Sequence, residues 1–421
     1  MSQVFAVNDT RRDEYFHWDD LRHRTAPNGL SLEEYWALLK LNRKNQEQPI
    51  PLNDCKGRPF TFWQTSKMSR ALHQIDLGAG GNIGIPEPVT NSETRNYYYV
   101  NSLLNEAITS SQLEGAVVTR KVAKEMIRSR RTPTSRHERM IFNNYRTMEN
   151  LATWKDQPLT PALVLEIQSL ITEGTLDDES ATGRFRTEQE KVEIVDERDF
   201  EVMHTPPPAS ELEERLIKLC AFANEEGDQE LFIHPVVRAI TIHFWLAYDH
   251  PFVDGNGRTA RALFYWLMLR KGFWLFEFIS ISEILVNAPI KYARSYLLTE
   301  TDDNDLNYFI HYQLKVIERA VENLHTFIAK KSGEISMAGR ALADYVEPLN
   351  YRQEALINRA IKHPNSRFTT GSHQMSHKVA YGTARSDLMK LEKLGLLEGK
   401  KSGRTTYFYP AKDLSEKLSG L

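Results

Sequence analysis

The sequence predicts a mainly α-helical fold with a small β-hairpin, and three observations carry the prediction. Residues 235–248 are apolar nearly all round, as a helix buried on every side must be. Residues 262–269 form a second apolar run, bounded by Arg261 and Arg270 and too short to span a bilayer. Between residues 96 and 118, Leu103, Leu104, Ala107, Ile108 and Leu113 recur at the three-to-four spacing of a helix face. Strand signals are short by comparison. Phe60-Thr61-Phe62-Trp63 is one. Val192-Glu193-Ile194-Val195 and Phe200-Glu201-Val202-Met203, separated by a polar turn at 196–199, form a candidate hairpin.

Taken in order, residues 1–95 read as an N-terminal structural lobe. A helix over 31–41 starts at Ser31, with Glu33 and Glu34 in its first turn. Gly78, Gly80, Gly81, Gly84, Pro86 and Pro88 mark a loop. Residues 96–330 form a central helical domain. Within it, Arg128 to Arg131 reads first as a solvated basic loop and second as a nucleic-acid contact. Asn143, Asn144 and Tyr145 are candidates to face the second apolar helix. Ser210 is placed to cap a helix through Leu216, and His243 reads as a core histidine. Asp302, Asp303 and Asp305 read as a solvated acidic turn before a helix over 306–328. Residues 331–348 read as a linker and 349–421 as a separate C-terminal domain. From residue 351 onward there are 13 Lys/Arg against 6 Asp/Glu, a positive excess absent from the chain as a whole.

Composition narrows the function classes. A length of 421 residues suggests several domains, and 41% hydrophobic residues suffice for a substantial core. A net charge of −3 excludes an overall polybasic protein. Cys55 and Cys220 alone cannot make a disulfide framework, which points to a reducing compartment. Residues 1–18 lack the apolar core of a signal peptide. The expectation is a cytoplasmic protein with no membrane contact. No histidine or cysteine spacing fits a zinc site.

The chemistry concentrates between the two apolar runs, in His250-Pro251-Phe252-Val253-Asp254-Gly255-Asn256-Gly257-Arg258-Thr259-Ala260-Arg261. A Gly-Asn-Gly turn entering a helix exposes N–H groups that favour an anion. Arg258 and Arg261 share a face of the first turn. Two cations at the positive end of a helix dipole are unfavourable unless something negative sits there, and a polyphosphate would supply that charge. Asp254 offers oxygen to Mg²⁺, and His250 can take a proton from a hydroxyl.

These twelve residues match, without departure, the Fic family signature His-Pro-Phe-x-Asp/Glu-Gly-Asn-Gly-Arg-x-x-Arg. The resemblance implies a Fic-type helical core with a β-hairpin flap, and an enzyme that moves AMP from ATP to a protein hydroxyl. It implies His250 as general base and Asp254 as magnesium ligand. It implies Gly255, Asn256 and Gly257 as the anion nest, with Arg258 and Arg261 on the β/γ phosphates. Ser110-Ser111-Gln112-Leu113-Glu114-Gly115 resembles the family's inhibitory motif, Ser/Thr-x-x-x-Glu-Gly/Asn, on a helix spanning about 100–116. Ser110, Glu114 and Gly115 would then restrain the enzyme from within the chain. Gly183-Arg184-Phe185-Arg186 resembles the lead-in to the flap, which in the family pairs with an extended target segment by strand addition, here near residues 187–203. The family places its adenine pocket near Asn287 and Tyr292, and Tyr292 would stack on the base.

The tail resembles a winged helix-turn-helix. Its helices are expected over 352–361, 371–377 and 380–393. Tyr381, Thr383, Arg385 and Ser386 would start the recognition helix, and Lys400, Lys401 and Arg404 would tip the wing. Such a module contacts DNA or protein. Two rivals to AMP transfer stay open: removal of AMP by the same site, and a DNA-binding regulator that only senses nucleotide. The intact His250 argues against the last, since sensing needs no base. A homodimer also stays open.

Overall fold

Helices dominate the structure, a computed structural model that describes residues 14–27, 29–80, 92–195, 202–227, 232–343, 349–403, 405–412 and 414. The chain divides into two compact units. The first comprises Met1–Gly80, Arg146–Trp274 and Ile284–Glu318. The second comprises Gly81–Tyr145, Leu275–Glu283 and Arg319–Leu421. The sequence predicts three consecutive domains, 1–95, 96–330 and 349–421, with a linker at 331–348.

In the first unit, α1 (Trp18–Leu21) and α2 (Leu32–Lys44) precede a hairpin of β1 (Gln48–Asn53) and β2 (Pro59–Phe62), followed by α3 (Ser66–Ile75). Helix α2 opens with a capping box. The Ser31 hydroxyl accepts the Glu34 N–H at 3.1 Å, and the Glu34 carboxylate accepts the Ser31 N–H at 2.8 Å. Two later helices form the heart of this unit, α9 (Pro235–Asp249) and α10 (Asn256–Arg270), which pack on each other. Apolar residues around their full circumference leave Trp245, Phe264 and Trp266 essentially without exposure. Helices α7 (Pro161–Thr172) and α8 (Leu212–Ala223) cover them. Phe60 of β2 sets its ring edge-on to Phe244 and Tyr248, 5.3 and 5.0 Å between centroids.

Two expectations fail in this unit. Ser210 does not cap α8: residues Ala209–Glu211 form a short 3₁₀ turn, and α8 begins without a side-chain cap. Ser210 instead donates its N–H to Glu188 at 2.9 Å. The acidic turn is solvated only at Asp303. It lies between α12 (Pro289–Thr301) and α13 (Asn307–Ala343), and Asp302 and Asp305 are buried there. Lys40 reaches Asp302 at 2.6 Å, Tyr308 donates to Asp302 at 2.7 Å, and Arg43 donates to Tyr308 at 2.7 Å. Burial pushes the Asp305 carboxyl up to about 6 despite Arg43 nearby. The cations that compensate these acids sit on α2, some 260 residues earlier, where no local pattern reveals them.

The second unit joins α4 (Ser92–Leu113), α5 (Arg120–Ser129) and α6 (Arg136–Trp154), the last up to Tyr145, to the C-terminal elements. Those are α14 (Tyr351–Lys362), α15 (Thr370–His377), α16 (Tyr381–Lys393) and a hairpin of β5 (Leu397–Ser402) and β6 (Thr405–Pro410). Leu356, Ile357, Leu388, Leu391, Leu396 and Phe408 form their core. The backbones of Phe368 and Phe408 exchange two hydrogen bonds of 2.8 Å, which ties the loop before α15 to the hairpin. Asp387 accepts from Asn350, Arg352 and Gln353, and meets His373 at 3.2 Å. This element order is the one expected for the tail.

Residues near 96–113 belong with the tail because aromatic contacts bind them to it. Tyr97 stacks on His377 at 5.5 Å, Lys378 lies over Tyr99 at 4.5 Å, and Tyr98 meets Phe327 edge-on. Asn144 donates to the Ala107 carbonyl at 3.3 Å, so it faces α4. The expected linker at 331–348 is helical through Ala343: no proline interrupts α13 past Ile328, and Gly333 and Gly339 are tolerated within it. Residues 344–348 lie outside the described residues, as do 196–201 of the expected hairpin turn and Arg404 of the expected wing.

The basic run is a solvated loop only from Arg130 on. Helix α5 extends to Ser129 and closes at Arg130, which adopts a left-handed φ of 54°. Arg131 then forks onto Glu138 at 2.6 and 3.0 Å. No helix among the described residues is long and apolar enough to cross a membrane.

Candidate active site

The loop between α9 and α10 is built by its own side chains. Buried Asn256 accepts the Phe252 N–H at 2.9 Å and donates to the Phe252 carbonyl at 2.8 Å, closing the turn on itself. The Asn256 side chain is therefore a staple, which leaves only its backbone to face an anion. Gly255 has φ +84°, and an added Cβ would stand 2.9 Å from Thr172 Cγ2, so glycine is required twice over. No side chain caps α10 at Gly255, and the first N–H groups of that helix have no intrahelical partner.

Arg258 and Arg261 are both fully buried in the first turns of α10. The sequence left both uncompensated, but Arg258 Nη2 reaches Asp254 Oδ1 at 3.0 Å. Arg258 Nη1 donates to the Ile171 carbonyl at 3.3 Å, while its buried Nε has no partner. An orphaned guanidinium N–H in this position suits an oxyanion. Asp254 remains partly exposed. Among the described residues no three or more His, Cys, Asp or Glu gather as a metal site. One partly exposed carboxylate, which also accepts the Gly255 N–H, is nevertheless a donor that Mg²⁺ uses when phosphates supply its other ligands.

His250 ends α9 in the left-handed region, φ 45° and ψ 56°. Its Nδ1 lies 3.2 Å from the Ala247 carbonyl. A carbonyl can only accept, so in the neutral ring Nδ1 carries the proton and Nε2 carries the lone pair. Asp249, just before it, is a residue that sequence reasoning missed. Arg215 pairs with it at 2.6 Å and Trp245 donates to it at 3.0 Å. Burial nonetheless pushes this carboxyl up to about 6.

The segment Gly183–Arg186 is stitched onto the same loop. Arg186 N donates to the Pro251 carbonyl at 2.9 Å, and Arg186 Nε to the His250 carbonyl at 2.9 Å. Its Nη2 binds the Pro207 carbonyl. Phe185 stacks on Phe252, centroids 6.3 Å apart and ring planes nearly parallel. Gln168, also missed, bridges the two segments: it accepts the Gly183 N–H at 2.7 Å and donates to the Asp254 carbonyl at 3.1 Å. No local pattern marks a glutamine on an apolar helix as a bridge. Strands β3 (Ile194–Val195) and β4 (Val202–His204) pair antiparallel, with Val195 and Val202 exposed. His204 holds β4 down, touching Glu300 and the Tyr248 carbonyl, each at 2.7 Å.

His243 is fully buried, and its Nε2 meets the Tyr292 hydroxyl at 2.8 Å. Burial, with the Arg261 charge, lowers its pKa to about 3. The Tyr292 hydroxyl also meets that of Tyr296 at 3.0 Å, so it is engaged within the protein, while the ring is half-buried. Ser110, Glu114 and Gly115 lie in the second unit. Ser110 is buried near the end of α4, Glu114 follows in the closing turn, and Gly115 takes φ +84°. Glu114 thus sits one residue past the helix that was expected to carry it.

Known proteins resemble this chain in the same region. The Fic/DOC family profile matches residues 158–268. "Protein adenylyltransferase Fic" of Nematostella vectensis is 29% identical over 119 residues, 28% of this chain and 26% of that protein. "Protein adenylyltransferase fic-1" of Caenorhabditis elegans is 42% identical over 69 residues, 16% of this chain and 13% of that one. The chain thus matches about a quarter or less of the length of these relatives. Among solved structures, a Fic family protein from Desulfovibrio desulfuricans superposes with TM-score 0.52 at 18% identity, covering 83% of this chain and 97% of that chain. A Fic domain containing signaling protein from Bacteroides thetaiotaomicron gives TM-score 0.50 at 18% identity, with 62% and 97% covered. The profile match spans the loop and nearly all of both helices that hold it, and Fic family proteins of known structure share the fold: residues 158–268 of this chain are similar to a Fic domain.

Proposed function

We propose that the protein is an adenylyltransferase that moves AMP from ATP to a Ser, Thr or Tyr hydroxyl of a target protein. The observation that supports this best is the His250 tautomer, in which Nδ1–H donates to the Ala247 carbonyl and Nε2 carries the lone pair. The relatives' names supply the reaction class.

The steps follow from the residues. N–H groups at the start of α10, with Arg258 and Arg261, hold the phosphates and orient the α-phosphorus. A bound Mg²⁺, held by Asp254 and the phosphate oxygens, would neutralise charge on the polyphosphate. His250 Nε2 takes the proton of the target hydroxyl as its oxygen bonds to the α-phosphorus. The bond from the α-phosphorus to the bridging oxygen breaks, and pyrophosphate leaves with the electron pair. The exposed edge at Val195 and Val202 pairs with an extended target segment, and Tyr292 packs on the adenine. Glu114 restrains the reaction by taking an arginine fork that the γ-phosphate otherwise uses, a reading that rests on the Ser110–Gly115 resemblance.

The test is to incubate a Glu114→Gly variant with cell lysate and ATP labelled on either the α- or the γ-phosphate. Label from α alone is expected. Label from γ means a kinase, and no label from either means a nucleotide-sensing module. His250→Ala should lower α-label transfer by ~10²–10⁴-fold while nucleotide binding stays near the parental value. Transfer at the parental rate would remove His250 from the mechanism.

A further inference from the structure

Helix α5 and the C-terminal elements line one cavity of about 1860 Å³, wholly inside the second unit. A small-molecule site occupies roughly 300–1,000 Å³, so this space suits a segment of polymer. Its walls are basic. Lys124 and Arg128 come from α5, Arg359 from α14, Arg367 from the loop before α15, Arg385 from α16 and Lys401 from β5. The acidic residues lining it are Glu125 and Glu283, and both are engaged: Arg367 reaches Glu125 at 3.3 Å and Arg120 reaches Glu283 at 3.0 Å.

Three of the cations face one another with no carboxylate among the described residues in ion-pair range. Burial, then repulsion by Arg128 and Arg120, pushes Lys124 down to about 8. Burial and the Arg359 charge push Arg128 down to about 10. Arg128 Nη2 has a neutral partner, the Asn101 oxygen at 2.8 Å, but its Nε is buried without one. Cations gathered at an energetic cost, with a donor left unsatisfied, need an anion that the protein does not supply. Aromatic rings interleave with them: Tyr381 is 58% exposed, and Tyr407 lies under the Arg367 guanidinium at 5.6 Å. Positive charge with accessible rings is the chemistry that grips a nucleic-acid strand.

We propose that this cleft holds the phosphodiester backbone of a nucleic acid, with Lys124 and Arg128 of α5 forming one wall and α14, α16 and β5 the other. The binding surface is then not confined to the C-terminal segment, as its sequence suggested. It includes the helix that begins six residues after Glu114. Duplex and single strand share the chemistry, and the test separates them.

The full chain is titrated into a fluorescent 20-base-pair duplex and into a 20-nucleotide single strand, across a salt series. At low salt at least one should bind, with the tighter naming the preferred form. The paired change Lys124→Ala, Arg128→Gln should weaken that binding by at least about tenfold, and lower the slope of log K against log salt by roughly 1 to 2. Because the two cations repel, the pair should keep or raise the melting temperature, which separates lost contacts from lost folding. Unchanged affinity and slope in the pair would overturn the proposal. So would failure of the parent to bind either probe at low salt, or full competition by inorganic polyphosphate at equal phosphate concentration.

Discussion

His250 shows what the residue scale requires. Its left-handed backbone, rare outside glycine, costs on the order of 1 kcal/mol, and it persists because Arg186 grips its carbonyl and Asn256 closes the loop behind it. The sequence made His250, Asp254 and the two arginines legible because they stand in one unbroken string. It could not show Asp249 or Gln168, whose roles depend on partners 34 and 86 residues distant. His243 was legible as core, and its titration yields a prediction. In the fold its pKa is about 3, and in the unfolded chain about 6.5. A base whose folded pKa is depressed binds its proton mainly when unfolded. Its contribution to stability is therefore whole above about 6.5 and is lost as pH falls toward 3, by at most about 1.4 kcal/mol per pH unit. His243→Gln removes that proton. Urea unfolding between pH 4 and 7 should show a slope shallower by up to that amount, and an unaltered slope would mean His243 does not titrate this way.

At the scale of elements, periodicity found the helices, and caps fixed several ends: Ser31 and Pro235 at starts, Gly115 and Arg130 at stops. Burial of charge was the part that periodicity missed. Asp302, Asp305 and Arg128 all read as solvated because nothing nearby in sequence compensates them, yet tertiary packing buries each to some degree. The flap lead-in shows how elements share work. Arg186 ties the segment before β3 to His250 and Pro207 through a fork that lysine cannot reproduce. Arg186→Lys should therefore misplace His250 while sparing the phosphate ligands. Because a shift of ~1 Å costs about 10²-fold in rate, kcat for AMP transfer should fall by roughly 10–100-fold with nucleotide affinity nearly unchanged. Steady-state kinetics beside calorimetric nucleotide titration checks this. A loss confined to nucleotide affinity would place Arg186 in substrate binding instead.

At the scale of the whole molecule, the chain separates the chemistry from its proposed restraint. His250, the 255–257 turn and the two arginines lie in the first unit, and the Ser110–Gly115 segment lies in the second, with α5 and the basic tail. Length and composition gave no hint that the tail folds with residues 96–145, because that pairing rests on contacts such as Tyr97 on His377. The restraint itself yields the last prediction. Two buried guanidiniums, Arg258 (paired with Asp254) and Arg261, stand at the positive end of α10, where cations are unfavourable. A glutamate that borrows one of them lowers that cost, and the γ-phosphate must then displace it. ATP bound without displacement would be bent, its α-phosphorus out of line with the hydroxyl. Glu114→Gly should raise both auto-modification and target modification well above the parent. Glu114→Asp should do so partly, since its carboxylate reaches less far. Arg261→Ala should not mimic the release, because it deletes the phosphate ligand along with the partner of the glutamate. Each variant is compared by label transferred from α-labelled ATP at matched concentration. A Glu114→Gly protein no more active than the parent would refute the restraint. One that instead loses an AMP-removing activity would make Glu114 the group that orients water, and the protein chiefly a hydrolase.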